Sequence, residues 1–285
     1  MTHITSVANN FEPRICSITD SGVASERTSR RAFAGVSALL FATSAALTIV
    51  WCGPMSAMGG MPMPGGWTMS MMWMRMPGQT WPAAAASFAV MWTVMMVAMM
   101  LPSVAPKLWR YREAMGRTGE TRPGRLTALA GLGYFCVWAA IGVVLFPLGV
   151  ALAALEMEHR ALAGAVPITA GMVVLMAGAF QFASWKAHHL ACCREALGRG
   201  RTLPADAATA WRLGLRLGLH CSYACAGLTA ILLVIGIMDL RAMAVVTAAI
   251  TAERVAPAGE QVARAIGAVA AGAGLFLIAR AAGLA

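Results

Sequence analysis

From Leu126 to Ala154 the chain carries no charged side chain. A stretch of about 20 mostly apolar residues is what a helix needs to cross the hydrocarbon of a bilayer. In lipid the backbone polar groups must be satisfied internally, which favours helices. Six further stretches approach the same test, at roughly 33–52, 83–104, 163–186, 212–237, 241–257 and 263–284. The expected fold class is therefore all-α, a polytopic transmembrane bundle of about seven helices. Six is the alternative count, because the segment at 241–257 is short. The last segment is rich in Ala and Gly, residues that let helices approach closely, and it is expected in the bundle interior.

Composition points the same way. Of the 285 residues, 59% are hydrophobic and 12% charged, against about a quarter charged in soluble domains. The net charge of +10 belongs with cytoplasmic loops rather than nucleic acid, since no aromatic-plus-basic platform accompanies it. The expected partners are the bilayer and a metal ion, with no nucleic acid.

Residues 1–32 are polar and mixed in charge and read as a disordered cytoplasmic tail, ahead of a transmembrane domain at 33–285. Positive charge alternates between the connections. Arg27, Arg30 and Arg31 lie in the tail. Lys107, Arg110, Arg112, Arg117, Arg122 and Arg125 follow the second span, and Lys186, Arg194, Arg199, Arg201, Arg212 and Arg216 follow the fourth. The intervening loops hold only Arg75, Arg160 and Arg241. By the positive-inside rule this is a multi-pass protein of the bacterial inner membrane with its N-terminus in the cytoplasm.

Methionine is the compositional anomaly. Of 21 methionines, 14 lie between Met55 and Met100. Many fall in an outer loop at 53–81, where Gly and Pro oppose a packed helix. The thioether is a soft, neutral ligand suited to Cu(I), so the loop reads as a metal-capture segment. The competing reading is an interfacial segment, favoured by Trp67, Trp73 and Trp81. In the second span, Met91, Met95 and Met99 share one helix face and Met96 lies beside them with Met100. Core packing is the plain account of such a stripe.

Two further stretches carry thiols and imidazoles. His189 and Cys193 are four residues apart, as are Cys221 and Cys225. On helices each pair would share a face, with Cβ atoms about 5–6 Å apart. Facing each other, they would form a four-ligand cage that suits Cu(I) or zinc. His188 and Cys192 are candidate alternative ligands, and His220 sits beside the site. The plain reading is again packing, since Cys is a small core hydrophobe. Glu253 and Arg254 are costly charges near a span end, expected to pair with each other or with a basic loop.

The stretches MWTVMMVAMMLPSVAP (91–106), FQ…WK…HLACCR (180–194) and HCSYAC…GIMDL…AAITAER (220–254) together resemble a bacterial family of predicted metal-binding integral membrane proteins, a family of undefined function. The resemblance covers about 83–270 and implies metal binding. That family more often has Cys at the position of His189, and it usually adds Gly-Cys-Cys-Trp after its first cysteine on the fifth span. Tyr223, Ala224 and Ala226 replace parts of that pattern, while Cys193, Cys221 and Cys225 are retained.

The leading expectation is a non-enzymatic protein that handles Cu(I) by transport, by delivery to a periplasmic copper protein, or by sensing. A thiol–disulfide oxidoreductase using Cys192, Cys193, Cys221 and Cys225 is one rival. A metal-free subunit of a membrane complex is another. No Walker-type phosphate loop and no serine nucleophile motif is present.

Overall fold

The computed structural model describes the backbone of residues 12–57, 60–75, 78–195 and 204–284. The side chains of residues 12–25, 55–57, 71 and 191–195 fall outside that description. Helix α1 spans Glu12–Ala57 and so begins within the segment read as a tail. After it come a short hairpin, β1 (Met61–Met63) and β2 (Trp67–Met69), and a turn of 3-10 helix at Met71–Trp73. The remaining helices are α2 (Trp81–Arg117), α3 (Pro123–Glu158), α4 (Arg160–Phe180), α5 (Ser184–Glu195), α6 (Ala207–Ile235), α7 (Leu240–Val255) and α8 (Gly259–Ala281).

The chain divides into two units, Met1–Leu40 and Phe41–Ala285. The first holds the leading part of α1. All site residues discussed below belong to the second.

Six helices are long and apolar enough to cross a membrane: the Glu26–Pro54 part of α1, then α2, α3, α4, α6 and α8. The segment expected at 241–257 is α7, with 16 residues, fewer than the roughly 20 that a full crossing takes. Contacts nevertheless carry it down the bundle, from Met238 beside Cys52 to Arg254 beside Ser103.

Two expectations need correction. The fourth span does not continue to residue 186, because α4 stops at Phe180 and α5 starts afresh at Ser184. The break turns Lys186 inward to Glu253 of α7. Nor is α8 interior. Two of its glycines serve one contact face, where Gly267 and Gly274 lie against Gly178 and Leu175 of α4. Val269, Leu275 and Phe276 on its other faces are exposed.

Close approach also sets α6 against α3. A side chain at Gly214 would run into the carbonyl of Ala130, and one at Gly218 would lie 2.9 Å from the Tyr134 carbonyl. These glycines bring the α6 backbone onto α3 at the level of the thiols.

The methionine-rich segment is folded in its described part. Its strands pair antiparallel with Met61 opposite Met69, and Gly65 and Gly66 supply the positive φ of the connecting turn. Trp67 Nε1 donates to the Ala163 carbonyl at 2.8 Å, and Trp73 packs over Gly149 and against Phe88. The hairpin thus sits on the ends of α2, α3 and α4. Met69 and Met72 are buried and Met61 is exposed. Met58 and Met76, and the side chains of Met55 and Met71, lie outside the described residues.

Candidate metal centre

Cys221 and Cys225 occupy successive turns of α6, and both are fully buried. Their i, i+4 spacing puts both sulfurs on one face. Tyr134 of α3 shares a hydrogen bond with Cys221, its Oη 2.7 Å from Sγ. Arg254, near the C-terminus of α7, donates from Nη2 to Cys225 Sγ at 3.0 Å and to the Cys221 carbonyl at 3.2 Å. Its Nη1 donates to Ser103 Oγ of α2 at 3.4 Å. Four helices therefore converge on the thiols.

A buried cation next to two sulfurs needs a reason, because an uncompensated charge in this environment costs several kcal/mol. The adjacent charges are already matched. Lys186 of α5 donates to both carboxylate oxygens of Glu253, at 2.8 and 3.0 Å, and both side chains are only 2% exposed. Arg254 faces the sulfurs, where a thiolate would balance it.

Ser103 extends the stripe predicted on α2. Met91, Met95, Met99 and Ser103 recur every four residues, so the stripe winds by about 40° per step around the helix. Met95 and Met99 are buried. The lower end of this face meets Arg254 through Ser103. At its upper end Met91 lines a cavity of about 710 Å³ together with Val50, Trp51 and Pro54 of α1. Met96 and Met100 are wholly buried. One turn from Met96, Trp92 donates to the Trp138 carbonyl of α3 at 2.8 Å.

His189 is drawn elsewhere. Its Nδ1 lies 3.0 Å from Nδ1 of His220, and its ring packs against Trp185, Tyr223 and His188. Partial burial, helped by the neighbouring His220 and His188, holds the His189 imidazole below its ordinary range. His188 is exposed. The side chains of Cys192 and Cys193 lie outside the described residues. Among the described residues no three His, Cys, Asp or Glu side chains gather as a metal cluster. Of the four-ligand cage, the described structure joins Cys221 to Cys225 and pairs His189 with His220.

Tyr134 escaped the sequence reading, and the partners of Arg254 and His220 were not readable from it. Tyr134 carries no local signal, because its role depends on how α3 packs. Arg254 was conspicuous as a charge near a span, yet its sulfur partner is not readable from spacing. His220 adjoins Cys221, and the helical step between neighbours turns the two toward different helices.

The bundle of apolar helices thus encloses a thiol pair beside a methionine-bearing helix. The PpoB2 family, described as copper chaperone, matches residues 89–277. The chain belongs to that family, in agreement with the resemblance carried by its three motifs. No curated protein and no solved structure matches the chain.

Proposed function

We propose that the protein is a membrane-embedded Cu(I) chaperone that holds its cargo between Cys221 and Cys225. The observation that carries the reading is the guanidinium of Arg254, 3.0 Å from Cys225 Sγ in a fully buried setting. Two thiolates and one Cu(I) ion sum to a charge of minus one. A single arginine makes that group neutral, which a low-dielectric interior requires. Thiolate donors favour Cu(I), and a two-coordinate sulfur site suits it better than zinc, which takes four ligands in structural sites. Tyr134 Oη, 2.7 Å from Cys221 Sγ, stabilises a thiolate there by hydrogen bonding.

On this reading Met99 and Met95 are weaker ligands along the route to the thiols, with Met91 at its mouth and Met96 alongside. His189 pairs with His220 toward the end that carries α5. The basic loops support placing that end in the cytoplasm of a bacterial inner membrane and the hairpin outside. The recipient on the hairpin side is then a periplasmic copper protein.

The test is an anaerobic Cu(I) competition titration of the purified protein in detergent against a chromophoric chelator. The paired variant Cys221→Ser/Cys225→Ser is expected to lose the tightest equivalent of copper. Unchanged affinity and stoichiometry in that variant would overturn the assignment.

A further inference from the structure

We propose that Cys52 and Met238 form a second Cu(I) site, at the hairpin end of the bundle and separate from the thiol pair. The proposal rests on the copper reading above, but its residues and its test are independent of Cys221 and Cys225. The Cys52 thiol donates to Met238 Sδ at 3.4 Å, and the contact is buried. The two residues lie 186 positions apart, so the fold alone brings a thiol and a thioether together.

Both donors are held in place. In the second unit, α1 buries Ser44, Thr48 and Cys52, one per turn on a single face. Leu47, Ile49, Val50 and Trp51 of the same helix are exposed. The face turned inward is thus the polar and sulfur-bearing one, the reverse of what apolar packing alone would select. The serine and threonine hydroxyls are satisfied within the helix, by the carbonyls of Phe41 and Ser44. On this face Cys52 reaches a side chain of another element. Met238 sits in the tight turn between α6 and α7. Gly236 gives that turn its positive φ of 131°, and the Asp239 carboxylate caps α7 by accepting from the backbone N–H groups of Arg241 and Ala242. A thioether fixed between a glycine turn and a helix cap loses little freedom on binding.

The charge balance differs from that of the inner pair. One thiolate, one thioether and one Cu(I) ion sum to zero, so this site needs no arginine. As the copper–sulfur bond forms, Cys52 gives up its proton to the medium and no electron changes hands. Two sulfurs that hold Cu(I) linearly with bonds of about 2.3 Å lie about 4.6 Å apart. The pair therefore has to open by about 1.2 Å from 3.4 Å.

The position is apt for loading. Cys52 immediately precedes the methionine-rich segment, and Val50, Trp51 and Pro54 beside it line the cavity that contains Met91. From Met91 the α2 face leads to Ser103 and the inner thiols. Cys225 lies about 15 Å along α6 from that helix's end at Ile235, so the two sites cannot share one ion. Cys52 also falls outside residues 89–277, the stretch matched by the family. Met238 lies within that stretch.

The test uses the full-length protein in detergent with methionine methyl groups labelled with carbon-13, and Ag(I) as the closed-shell stand-in for Cu(I). The Met238 methyl resonance is assigned by its loss in Met238→Leu. It is expected to shift within about two equivalents of Ag(I) in the wild type and equally in Cys221→Ser/Cys225→Ser. In Cys52→Ser the same shift should need at least about tenfold more Ag(I). A Met238 signal that stays still in the wild type, or that moves alike with and without Cys52, overturns the second site. Should Cys52→Ser fail to fold, the wild type and the double-serine variant still decide. Failure of the inner site reads out separately, as undiminished copper binding in the double-serine variant.

Discussion

His220 and Cys221 are neighbours on α6 and end in different surroundings. His220 turns to His189 of α5, where both rings are partly exposed and His189 packs against Trp185 and Tyr223. Cys221 turns to Tyr134 of α3 and, with Cys225, is sealed from solvent beside Arg254. A helical step rotates each residue by about 100°, enough to send adjacent donors to separate partners. The imidazole pair needs no counter-charge because a neutral ring can accept from another. The thiol pair is built around a cation. One helix therefore presents two donor sets of opposite electrostatic design.

The Lys186–Glu253 bridge ties the two regions together, since Lys186 shares α5 with His189 and Glu253 precedes Arg254. Lys186→Met strands a buried carboxylate and is expected to cost about 3–5 kcal/mol of stability. Chemical denaturation in detergent would measure it, and a loss below about 1 kcal/mol would detach the bridge from both regions. Next in size is Arg254→Met. It should weaken Cu(I) binding by about ten- to a hundredfold, as loss of an outer-shell partner does, and leave the imidazole pair unaltered by histidine NMR. His189→Ala should change Cu(I) affinity by less than about twofold if the two donor sets are independent. A drop as large as that for Arg254→Met would merge them into one cage. Smallest is an acid effect on the helix they share. Asp206 caps α6 by accepting from the Thr209 N–H and hydroxyl, which holds its carboxyl below the ordinary 3.8. The cap is complete above that value and is lost as pH falls through the lowered one. Amide exchange in the first turn of α6 should rise over that acid range, and Asp206→Asn should flatten the rise.

The helices were legible because lipid-length apolar runs interrupted by basic loops admit few alternatives. The i, i+4 thiol pair and the α2 methionine face were legible for the same reason, since helical periodicity fixes which residues share a side. What spacing could not convey is which face meets which neighbour. Tyr134 enters the site because Gly214 and Gly218 let α6 settle on α3. His189 meets His220 because α4 stops at Phe180 and α5 starts afresh at Ser184. Glu253 and Arg254 were expected to pair with each other or with a loop. Glu253 does take a basic residue of the fourth connection, Lys186, which lies on α5, while Arg254 turns to the sulfur of Cys225.

The shortness of α7 has a consequence for the surroundings. Its 16 residues rise about 24 Å, against about 30 Å of hydrocarbon in a typical bilayer. In such a bilayer lipid on that flank must thin or let water dip toward the α7–α8 turn, as hydrophobic mismatch demands. Arg254, one residue from the end of α7, would then lie under a dimple, where the barrier between the inner thiols and the aqueous phase is lowest.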